Sequence, residues 1–115
     1  MRWPDVHQDL TSLVTAGVLV EAAADLFRAR LRCRQAREVL TSIRESLDRV
    51  LDDAFSKGSF CPIEDLFREE EAALARHEAA MARLAAARER CAGLRLALAS
   101  EREQVGRPDP RHGVH

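Results

Sequence analysis

The chain has 115 residues and a formal net charge of −1, enough for one small domain and without the positive excess that draws a protein to nucleic acid or to an anionic membrane. Hydrophobic residues make up 46% and charged residues 32%, with four Phe, one Trp and no Tyr. Ala, Leu, Arg and Glu dominate, which excludes a wide aromatic core and points to long helices with a coiled-coil repeat.

Residues 1–8 form a short lead containing Trp3-Pro4, and Asp5 or Asp9 supplies a carboxylate to cap a first helix over 9–56. The run Leu10 to Val20 is apolar, and Ala22-Ala23-Ala24 imitates a signal cleavage site. Asp5 and Asp9 against a single Arg2 give the wrong charge for a signal peptide, and the run falls short of the roughly 20 residues that span a bilayer. It is read as helix, and the protein as cytoplasmic with no membrane partner.

From Asp9 to Ser56 no proline appears and Gly17 is the only glycine. A 3-4 alternation runs through Leu19, Ala22, Leu26, Ala29, Cys33, Ala36, Leu40, Ile43, Leu47, Val50 and Ala54, all apolar. That is a heptad seam, the pattern that lets two helices wind round each other with their stripes facing. Toward the N-terminus the frame meets Thr15 and Ser12, so the seam is expected to begin near Leu19.

A turn is predicted over 57–61. Gly58 suits the left-handed position just past a helix end, and Pro62 the first position of the next helix, with Glu64 and Asp65 at its positive end. The second helix, 62–104, is rich in alanine. Its seam reads Ile63, Leu66, Glu70, Ala73, His77, Ala80, Leu84, Ala87, Cys91, Leu94 and Leu98, with Phe67, Leu74 and Met81 widening the stripe. So short a turn makes the helices antiparallel neighbours. Folding at Gly58 places Leu40 near His77, Cys33 near Leu84 and Leu26 near Cys91. Cys33 and Cys91 then lie about 10 Å apart along the axis, too far for a disulfide. Residues 106–115, with Pro108 and Pro110, are expected to be a disordered tail. The predicted fold is all-α: two long helices in an antiparallel coiled-coil hairpin, completed to a bundle by a partner or by self-association.

Chemistry-bearing residues are sparse. His77 sits on the seam with no set of ligands beside it and is expected to be partly buried and hydrogen-bonded locally. His112 and His115 fall in the tail, and Cys61 in the turn has no resolving cysteine. No nucleophile elbow, phosphate loop or H-E-x-x-H motif occurs. No catalytic, cofactor or metal site is expected, and no enzyme.

Partner contacts are the better expectation. Arg28, Arg30, Arg32, Arg34 and Arg37 form a band with no acid among them, while acidic residues gather near the turn. Alternate arginines read as pointing around the helix rather than along one face. Leu13, Val14 and Phe27 exceed what one seam can bury. Phe55, Phe60 and Phe67 cluster around the turn and either form an apolar contact point or pack together to close the hairpin. The expected partner-binding residues are Leu13, Val14, Phe27, Arg30, Arg34, Phe60 and Phe67.

The two-helix layout, Leu19 to Ala54 and Ile63 to Leu98, with the run Phe67-Arg-Glu-Glu-Glu-Ala-Ala-Leu-Ala-Arg-His-Glu, resembles the small coiled-coil stalk proteins of bacterial type III secretion and flagellar export. The resemblance implies a non-enzymatic helical hairpin that contacts an export ATPase ring and escorts chaperones. Two alternatives stand beside it: a homodimeric four-helix bundle, and a helical nucleic-acid binder using the Arg28–Arg37 band.

Overall fold

A computed structural model describes the backbone of residues 3–58 and 63–106, and the side chains of residues 10–58 and 63–103. Two helices, α1 (Trp3–Lys57) and α2 (Ile63–Gly106), form an all-α helical hairpin, with no strand among the described residues. Helix α1 begins at Trp3, ahead of the predicted start at Asp9. Pro4 explains the difference: in a first turn its missing N–H has no partner to lose, and its fixed φ already suits a helix. The other three helix ends fall within two residues of the predicted ones. Phe60, Cys61, Pro62 and the predicted tail residues 107–115 lie outside the described residues.

Helix α1 ends on a left-handed glycine. Gly58 has φ 69°, and its N–H donates to the Ala54 carbonyl at 2.7 Å, pairing one of the orphan carbonyls of the last turn. A Cβ at Gly58 meets nothing within 4 Å, and the same holds at Gly93 inside α2. The two glycines therefore isolate backbone conformation from packing. Gly58→Ala should cost about 1 kcal/mol because an L-residue resists positive φ. Gly93→Ala should add about 1 kcal/mol because alanine is the better helix former. Urea unfolding of both variants checks the pair; equal signs would mean that packing, not conformation, governs one of the sites.

The hairpin divides into two compact units, each containing a segment of both helices. Among the described residues, unit 1 joins residues 3–26 to 87–106, and unit 2 is drawn from residues 27–58 and 63–86. In unit 2 the buried core is Cys33, Leu40, Leu47 and Ala54 from α1 with Ile63 and Ala73 from α2. The four α1 residues recur every seventh position, as a face kept toward one partner helix requires. In unit 1 the buried residues are Ala22, Leu26 and Cys91. All of these buried residues are positions of the two predicted seams. The remaining seam positions are half-buried, including Thr15 and Ser12, so the α1 stripe reaches further toward the N-terminus than Leu19.

Cross-helix pairs carry the register. In unit 2, Arg44 Nε lies 3.9 Å from Glu70 Oε1. In unit 1, Arg90 Nη1 lies 3.4 Å from Asp25 Oδ2, and Thr15 Oγ1 donates to Glu101 Oε1 at 2.9 Å. Cys33 and Leu84 line one groove, as the predicted register has them, and Cys33 and Cys91 are free thiols. The ion pairs are half-exposed and contribute little, so the seams carry the stability.

The seam is not wholly apolar. Glu70, His77 and Glu101 occupy it on α2. His77 Nε2 is buried without a hydrogen-bond partner, which corrects the expected local bond: the neighbouring turns of an apolar seam present no acceptor or donor to it.

Candidate interaction site

Heptad packing buries one stripe of each helix, so most of the remaining side chains stand in solvent. Among the expected partner-binding residues, Leu13 is 68%, Val14 66%, Phe27 67% and Phe67 46% exposed. Phe60 lies outside the described residues. Phe55 is 75% exposed, so the described aromatics near the turn keep much of their surface in solvent.

In unit 1, Leu13 lines an open groove of about 380 Å³ with Ser12, Ala16, Leu98 and Arg102. Val14 stands on the adjacent face, and Leu10 and Val20 are 54% and 69% exposed. Leu96 of α2, which was not among the expected contact residues, is 70% exposed. Its signal was weak, since it is a single large residue among alanines outside the seam. Helix α1 also contains an 18-residue window of mean hydropathy 1.6, of which 11% is buried, making it long and apolar enough by those measures to cross a membrane. The apolar character thus extends past the run that ended at Val20.

In unit 2, Arg30, Arg34 and Arg37 line a second open groove of about 240 Å³ with Cys33 and Leu84. Spacing of four and three residues puts their side chains on one helix face. The expectation that these arginines point around the helix is corrected for this trio: the alternation of Arg28, Arg30, Arg32 and Arg34 concealed the i, i+4, i+7 set inside it. Among the described residues no ion pair engages Arg30, Arg34 or Arg37. Three uncompensated guanidiniums beside an apolar floor can fork onto carboxylates or phosphates.

Among the described residues no group of three or more His, Cys, Asp or Glu side chains converges to hold a metal ion. The two grooves are surface furrows along the helices, suited to side chains of another macromolecule more than to enclosing a small substrate. Compared with protein-family models, with curated proteins and with solved structures, the chain matches none.

Proposed function

We propose that this chain is a non-enzymatic coiled-coil interaction protein, an adaptor or stalk-like subunit of a cytoplasmic assembly. The observation that carries the reading is the excess of large apolar side chains left in solvent after the seam is filled: Leu13, Val14 and Phe27 are each about two-thirds exposed. A helix that only had to close a hairpin would present polar residues there. The basic groove of Arg30, Arg34 and Arg37 supplies the complementary element, a charged patch that sets the orientation of an acidic partner surface.

The specific version is a stalk of a type III secretion or flagellar export apparatus, in which the hairpin contacts the export ATPase. Its test is co-sedimentation of the full chain with an export ATPase of the same organism. Binding that weakens in Arg30→Gln/Arg34→Gln would support the stalk. No complex at about 10 µM of each protein, a generous concentration for a micromolar contact, would sink it.

A second reading, nucleic-acid binding, gains from the common face of the three arginines. If it holds, a 20-nucleotide DNA or RNA should bind with an affinity that falls steeply with salt, and the triple Arg→Gln variant should lose about three counterion-release equivalents of slope. Binding with no salt dependence would remove this reading.

A further inference from the structure

We propose that a second stripe on α1, formed by Leu10, Leu13, Gly17, Val20 and Ala24, docks against the same stripe of a second copy of this chain, with the two helices antiparallel. The inference deepens the interaction-protein reading and rests on it: the apolar surplus at Leu13 serves self-association, and the basic groove of Arg30, Arg34 and Arg37 is left for the other partner.

The stripe repeats with the 3-4 spacing of the buried seam but is displaced from Thr15, Leu19, Ala22 and Leu26 by two residues. Two residues are about 200° of helix, so the stripe turns away from α2 over most of its length, with Leu13 at its edge, where it borders a groove with Leu98 and Arg102 of α2. All five residues are exposed, Leu10 by 54%, Leu13 by 68% and Val20 by 69%. In sequence the spacing continues at Phe27 and Leu31, which are 67% and 44% exposed. A heptad stripe on the side opposite a filled seam is the arrangement of a helix built to sit between two others.

Three occupants compete for it. A bilayer core suits the hydropathy of α1 but not its partner. Unit 1 packs this stretch on α2 through Ala22, Leu26 and Cys91, and the same segment of α2 carries Arg88, Glu89, Arg90, Arg95, Glu101, Arg102 and Glu103. Those charges cannot enter hydrocarbon while the hairpin is closed. Residues 107–115 hold one large aliphatic side chain, Val114, and do not match a five-position stripe. A second copy does match it. In an antiparallel pair centred between Val18 and Leu19, Leu13 faces Ala24 and Gly17 faces Val20, and the two-fold axis repeats both layers. Large meets small in these central layers, and the outermost layer sets Leu10 against Phe27, two large exposed side chains. At the flanks Ala16 meets Ala23, which lets the backbones approach, and Glu21 meets Val14, so no like charges oppose one another. A parallel pair would set Gly17 on Gly17 and Ala24 on Ala24 and leave gaps.

Sedimentation velocity of the full chain over about 1–200 µM tests the proposal, a range that brackets a micromolar dimer. The wild type should sediment as a dimer, and Val20→Glu should shift it to monomer with about 100-fold weaker association and unchanged helicity. A monomeric wild type, or a Val20→Glu protein that remains dimeric, overturns the proposal. Should Val20→Glu unfold, Gly17→Leu substitutes for it, because a Cβ at Gly17 meets nothing within 4 Å in the hairpin. Gly17→Leu should keep its helicity and lose the dimer, and a helical Gly17→Leu dimer overturns the pairing. Orientation is read by oxidation in a Cys61→Ser background. Leu13→Cys mixed with Ala24→Cys should crosslink, whereas Leu13→Cys crosslinking mainly to itself would mean a parallel pair and overturn the antiparallel one. A monomeric chain that still binds an export ATPase would sink the dimer and leave the interaction-protein reading standing.

Discussion

Leu40→Asp should abolish the cooperative helical signal of the protein. Leu40 is 5% exposed in the middle of the unit 2 stripe, one heptad from Cys33 and one from Leu47. Removing its isobutyl group forfeits about 2–5 kcal/mol in transfer and cavity terms. The replacing carboxylate is buried on a seam whose one polar neighbour in this register is His77, which adds several kcal/mol unless the acid protonates or pairs with that imidazole. A small domain has about 5–15 kcal/mol in total, and two helices that bury one stripe each belong near the low end. The sum therefore exceeds or equals what is there to lose. Circular dichroism at 222 nm through a thermal ramp measures it. The control is Val39→Asp, one residue away and 47% exposed, which should change stability by less than about 1 kcal/mol. If Leu40→Asp melted like the wild type, Leu40 would not face α2 and the seam assignment would fail.

The seams and the turn were legible because each depends on short-range rules. Leu26, Leu40 and Leu47 recur at a spacing that only a helix places on one side, and Gly58 is the residue type that tolerates φ 69°. What escaped depends on neighbours that no single spacing reveals. Trp3 and Asp5 read in sequence as a lead, since Pro4 breaks a helix everywhere except in its first turn, which is where it falls. Arg30, Arg34 and Arg37 share a groove, yet Arg28 and Arg32 interleave with them and blur the face. The second stripe was half-visible as a surplus of Leu10, Leu13, Val14 and Val20. Gly17 and Ala24 complete its repeat but carry too little hydrophobic weight to announce a face. Its exposure is a consequence of packing: α2 fills the first seam and leaves this stripe in solvent. The orphaned His77 Nε2 is the opposite case: its seam position was evident, and its lack of a partner is a property of the packed side chains around it.

Removing that orphan should act in the opposite direction to Leu40→Asp. His77→Leu should raise stability by about 1–3 kcal/mol, since it removes a buried unsatisfied nitrogen and extends the apolar seam of α2 between Ala73 and Ala80. In a chain of this size the melting temperature should rise by several degrees. The gain should carry a cost in uniqueness. Polar residues fall on the seam of α2 at Glu70, His77 and Glu101, whereas α1 is apolar from Leu19 to Ala54. A helix as uniformly apolar as α1 gives little preference for one register or one partner, so the discrimination rests on the polar positions it faces. With leucine at 77, slipped pairings and higher assemblies lose the penalty of burying an imidazole against the wrong neighbour. Sedimentation of His77→Leu should therefore show larger species that the wild type lacks, together with the higher melting temperature. A destabilised His77→Leu protein would mean that Nε2 is hydrogen-bonded in solution after all. A stabilised variant with an unchanged assembly state would leave register and partner choice to Glu70 and Glu101, whose pairings with Arg44 and Thr15 lie in different units of the hairpin.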